Sequence, residues 1–123
     1  MSNIPPGNSG EGNVQKTRGK SVLPQALATS AGILLTATKR LKITEFRINN
    51  QHSSALVVTI HKGATGFTVG AGNVLTKQSI ASNTDINLVP SNGCMYLEAG
   101  QQIKGLAGTA DLCNVTISYE EEV

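Results

Sequence analysis

The sequence predicts an all-β fold, an antiparallel β-sandwich or jelly roll of about eight short strands with an extended N-terminal arm. Three observations carry this. From residue 26 onward there is hardly a helical period, and short β-branched runs recur between Gly, Asn, Ser and Asp. The last run, DLCNVTISYEE, alternates Cys113, Val115, Ile117 and Tyr119 against Leu112, Asn114, Thr116 and Ser118. That is the period-2 pattern of a strand with one face buried. By contrast, MSNIPPGNSGEGNVQKTRGK offers only Ile4 and Val14 as bulky aliphatics, too little apolar surface to offset the entropy of ordering. The chain divides into an arm over 1–25 and a sandwich over 26–123.

Within the sandwich, GILLTAT reads as a strand and KRLKITEFRIN as a longer one. Leu41 and Ile43 share one face of the longer run, whereas Phe46 and Ile48 have the opposite parity. A change of phase inside one strand calls for a β-bulge or bend near Thr44 and Glu45. NNQHSS is a turn cluster, after which ALVVTIHK places Leu56, Val58 and Ile60 on one side and Val57, Thr59 and His61 on the other. GATGFTVGAGN predicts a short edge strand around Phe67 and Val69, and VLTKQSIA, TDINLVP, CMYLEA and QQIKGLAG follow as further short strands. In EAGQQIKGLAG, Gly100 supplies the permissive backbone of a tight turn. Gly105 fits a bulge, Gly108 fits the next turn, and the two glutamines satisfy backbone groups nearby.

The totals narrow the function classes. A chain of 123 residues forms one domain. With 39% hydrophobic residues, 3% aromatics and no Trp, its core rests on Ile, Leu, Val and Ala. A net charge of +2 is too small to point to nucleic acid. All of that excess lies in the arm, where Lys16, Arg18 and Lys20 face only Glu11, while residues 26–123 balance at zero. Cys94 and Cys113 give neither a disulfide framework nor metal spacing and read as small reduced apolar residues, although a single bridge is geometrically open. No run is long enough to span a membrane. The opening residues lack a basic-then-apolar secretion signal, so the chain is expected to be made and kept in a cytosol, or assembled from one.

Each chemical motif has a plainer reading. Gly63-Ala64-Thr65-Gly66 matches a G-x-x-G, but it lies between strands rather than helices. The later Gly70 and Gly72 lack the Lys-Ser/Thr of a phosphate loop. His52 and His61 have no third ligand in a recognisable pattern. Asn114-Val115-Thr116 matches a glycosylation acceptor and reads as polar residues on an outward strand face. Lys39, Arg40, Lys42 and Arg47 cluster without the stacking aromatics of a single-strand binder. Glu98 and Asp111 flank the glycine-rich stretch without a nucleophile or base beside them. No enzyme activity, cofactor, metal or small-molecule substrate is expected.

The order of arm, GILLTATKRLKITEFRINNQHSS and INLVPSNGCMYLEAGQQIKGLAGTADLCNVTISYEE resembles the small β-sandwich virion proteins of tailed bacteriophages. The resemblance covers roughly residues 32–122 and includes a Leu97, Gly100, Ile103 step before the final acidic-ended strand. It implies a capsid cement or decoration subunit on the virion surface. Its partners would be the major capsid protein and copies of itself, in a homotrimer or another symmetric oligomer. The arm would order on neighbouring subunits. Pro5 and Pro6 restrict the free chain, Lys16, Arg18 and Lys20 meet acidic surface, and Leu23 and Pro24 anchor the junction. Glu120, Glu121 and Glu122 are the candidate receptors for a neighbour's basic arm. A low-copy neck, head-fibre or tail component is the alternative, followed by a carbohydrate-binding sandwich.

Overall fold

The computed structural model describes residues 17–89 and 93–122. It contains nine strands: β1 (Thr17–Ala26), β2 (Gly32–Thr36), β3 (Leu41–Asn50), β4 (Leu56–Ala64), β5 (Val74–Ile80), β6 (Thr84–Asn87), β7 (Met95–Leu97), β8 (Gln101–Ala107) and β9 (Cys113–Glu122). They form two antiparallel sheets. Sheet I runs β1-β9-β3-β6, with β7 also on β3, and sheet II runs β2-β8-β4-β5. The pairings are nested: β4 with β5, β3 with β6 and β7, β2 with β8, and β1 with β9. A long hairpin folded over on itself produces that nesting, which is the jelly-roll form of the predicted sandwich.

The change of phase in β3 is resolved as expected. Its register on β9 shifts between Ile43 and Glu45. The extra residue, Thr44, turns outward and donates through Oγ1 to the Ser118 carbonyl at 3.2 Å. Leu41 and Ile43 therefore reach the core together with Phe46 and Ile48. On β9 the buried set is Cys113, Val115 and Ile117, and Tyr119 packs at the margin. Sheet II closes the core with Leu34, Leu35, Val58, Ile60, Ile103 and Ala107.

Two expectations are corrected. Residues 17–25, expected in the arm, belong to the sandwich, because β1 pairs with β9 from Thr17↔Glu122 to Ala26↔Asn114. Pro24 sits where that register shifts, between Val22 and Gln25, so its missing N–H costs no ladder bond. Residues 65–73, expected to hold a strand, instead form a turn and a single 3-10 turn over Ala71–Asn73. Gly63 explains the difference: a Cβ there would lie 2.7 Å from the Phe67 ring. The bare backbone lets Phe67 fold down onto β4 rather than extend along it.

Candidate functional site

Residues 65–73 roof one half of the outer face of sheet II. Lys104 on β8 donates to the Phe67 carbonyl at 2.7 Å, and its ammonium lies 4.8 Å from the Phe67 ring centre. Asn73 organises the rest. Its Oδ1 accepts from Gly70 N–H at 3.0 Å, its Nδ2 donates to the Thr68 carbonyl at 2.8 Å, and His61 Nδ1 lies 2.8 Å from the same Oδ1. His61, on the outward face as its parity requires, is therefore buried by this roof. Elsewhere the outer face stays open: Ile33 on β2, opposite Lys104, is 57% exposed, and Val57 at the far end of β4 is also exposed.

Sheet I presents a polar outer face. Arg47 is gripped by Glu45 and Asp85, each at 2.9 Å. Glu45 first and Asp85 second hold its guanidinium above the usual arginine range. Both pairs are solvent-facing, so salt screens them. Among the described residues the His52 ring bonds only within its own turn, with Ser54 Oγ 2.7 Å from its Nδ1, while its carbonyl accepts from Ser82 Oγ at 2.7 Å. Among the described residues there is no cluster of three or more metal-ligating side chains and no pocket.

The residues singled out as an arm-contact site are dispersed. Pro5, Pro6 and Lys16 lie outside the described residues. Arg18 and Lys20 are on β1, and Lys20 Nζ meets Glu121 of the same chain at 3.1 Å. Glu122 faces Arg40 at 3.9 Å, and Glu120 pairs in register with Gly19 and Lys42. Leu23, at the β1 bulge, is 82% exposed. The cluster of Lys39, Arg40 and Lys42 is likewise partly neutralised: Arg40 bonds Glu98 at 3.2 Å and lies 4.1 Å above the Tyr96 ring.

No family model matches the chain, and no curated protein matches it. A solved structure from the disulfide-linked pili of Bacillus endospore appendages is similar over 99% of this chain and 99% of that chain. The TM-score is 0.52 and the identity 12%. At that identity the likeness concerns the fold. It nevertheless corrects the capsid-decoration reading, because the protein sharing this architecture from end to end comes from an endospore pilus, not a phage head.

Those pili are disulfide-linked, which directs attention to the two thiols here. Both are free. Cys113 is fully enclosed in the core, and burial pushes its thiol pKa up, so it stays protonated and inert. Cys94, just before β7, is exposed. A maleimide should therefore label the native protein at Cys94 alone, with Cys113 reacting only in denaturant. Mass spectrometry after proteolysis reads this directly, and rapid native labelling of Cys113 would contradict its enclosure.

Sequence reasoning missed Asn73, whose one signal is a polar residue in a β-rich run, and it foresaw backbone bonds for Gln102 but not which segments it joins. Gln102 accepts from Gly66 N–H at 3.2 Å and donates to Thr36 Oγ1 at 2.8 Å, joining the start of the roof to β2.

Proposed function

We propose that this chain is a structural subunit that assembles with copies of itself into a fibre or another polymer, without catalysis. The observation carrying this reading is the end-to-end likeness to an endospore pilus protein, in which both chains are covered at 99%. The construction of the molecule supports it. Its two sheets stop at open edges, with unpaired backbone groups beyond β1, β2, β5, β6 and β7 among the described residues. Large apolar side chains are exposed on several of these strands, among them Leu23, Ile33, Val74 and Leu75. Exposed strand edges and apolar side chains are what copies of a sandwich use to join.

Purified full-length chain should form higher species as its concentration rises, visible as faster boundaries in sedimentation velocity and as regular particles or filaments by negative-stain microscopy. A closed trimer would appear as one fixed species. A chain that remains monomeric at every concentration and salt would sink the proposal.

A further inference from the structure

We infer that β5 is the docking strand for a second copy of this chain, pairing antiparallel with itself about a two-fold axis at Gln78. The inference deepens the self-assembly reading and rests on it. Four of the five edge strands are blunted against pairing. On β1, a register shift, Pro24 and the charges of Arg18 and Lys20 interrupt the edge. β2 has only five residues and its own register shift, and its Leu34 carbonyl already accepts from Gln25 Nε2 at 3.1 Å. β6 and β7 have four and three residues.

β5 differs. It is the last strand of sheet II, seven residues long, without proline and with Lys77 as its only charge. Val74 and Leu75 are 41% and 38% exposed at its start. Its register on β4 is unbroken from Ile60↔Thr76 to Leu56↔Ile80, so residues 76–80 form a regular stretch whose midpoint is Gln78.

Register then selects the mode of pairing. A two-fold axis at Lys77 would set two ammonium groups directly opposite each other, which is unfavourable. Moving the axis to Gln78 places Lys77 opposite Ser79 of the partner subunit, Thr76 opposite Ile80 of the partner subunit, and Gln78 opposite its own copy. Lys77 and Ser79 lie on the outward face with Thr59 and Val57, exposed to solvent. Gln78 is on the core side, where its Nε2 holds Thr76 Oγ1 at 3.0 Å. Its amide carbonyl is left to accept from the partner's amide. In this register every side chain meets an acceptable opposite without any other polypeptide, which is why the occupant is a second copy. The contact is isologous, so it makes a two-fold joint, and growth into a fibre needs a second, different contact.

The test exploits Ser79, which is exposed and carries no charge. In the full-length chain, Ser79→Glu places a carboxylate opposite Lys77 of the partner subunit twice per joint. Self-association measured by sedimentation velocity should tighten roughly 2- to 25-fold at low salt. Ser79→Lys should weaken it by a similar factor, and Lys77→Glu with Ser79→Lys should restore it to the wild-type level or beyond. Thermal melts at a concentration where the chain is monomeric should match across all variants, since neither side chain contributes to the core. If wild type assembles and every variant assembles equally, the β5 joint is wrong while the self-assembly reading stands. Shifts of the same sign for Ser79→Glu and Ser79→Lys would overturn the two-fold register. A monomeric wild type would overturn both readings.

Discussion

Asn50→Ala should destabilise the protein by about 2–4 kcal/mol, a drop of roughly 10 °C in Tm for a domain of this size. Asn50 ends β3 and is completely buried. Its Nδ2 donates to the Ile80 carbonyl at 2.8 Å, with the Ser54 and Ala81 carbonyls at 3.2 and 3.3 Å. Its Oδ1 accepts from His52 N–H at 2.8 Å. One side chain thus ties the turn after β3 to the crossing from β5 to β6. Alanine removes both halves of the amide and leaves the Ile80 carbonyl buried without that donor. The loss of a partner from a dry carbonyl costs more than the net worth of the bond itself. The Ala81 carbonyl is less affected, because Thr84 Oγ1 also donates to it at 2.7 Å.

The neighbouring residue provides an internal control. Asn49 is on the outward face of β3, and its Oδ1 is buried without a hydrogen-bond partner among the described residues. Asn49→Ala should lie within about 0.5 kcal/mol of neutral, as for most substitutions that break no paired buried group. Chemical denaturation of the two variants side by side is the measurement. Equal losses at 49 and 50 would mean that the amide of Asn50 does not brace the turns.

That contrast also marks how far the sequence could be read. The bulge in β3 was legible because Leu41 and Ile43 cannot share a face with Phe46 and Ile48 unless a residue is inserted. The burial of Cys113, Val115 and Ile117 followed from strict alternation. The turn at Gly100 followed from glycine's freedom at positive φ, which is +85° there. All of these depend on local sequence. β1 was not legible, because TRGKSVLPQA has little apolar content and contains a proline. Its stability comes from pairing with β9 at the far end of the chain, and no local window contains that partner. The roof over sheet II was hidden for a related reason: it depends on Phe67, His61, Asn73 and Lys104 converging from three separate segments. The two adjacent asparagines at 49 and 50 look alike in sequence, and only the inward turn of one side chain separates a brace from a bystander. Function was the least legible, because the order of strands and turns that resembled virion sandwiches is a property of the jelly roll itself.

Gly105 gives the second large effect, and here again the local reading was incomplete. Expected to form a bulge, it sits inside β8 at Gly105↔Gly32 and Gly105↔Ile60; the register shift beside it inserts Leu34 on β2 rather than a residue on β8. Its small size serves packing instead. A Cβ would lie 2.9 Å from both Ile60 Cδ1 and Leu34 Cδ1, and 3.4 Å from Leu27 Cδ2. Those atoms are the tips of flexible side chains, so Gly105→Ala should be partly absorbed and cost about 1 kcal/mol, the low end for an overpacked core. Gly105→Val adds two more methyls at a point where three side chains already meet, and should cost about 3 kcal/mol. Shortening one neighbour tests the cause. Ile60→Val removes the Cδ1 methyl and alone should destabilise by roughly 1 kcal/mol. Combined with Gly105→Ala, the same deletion empties the space that the new Cβ needs, and the double variant should be more stable than the sum of the two losses allows. Strict additivity in denaturant titrations would mean that Gly105 is required for its backbone rather than for the closeness of Ile60.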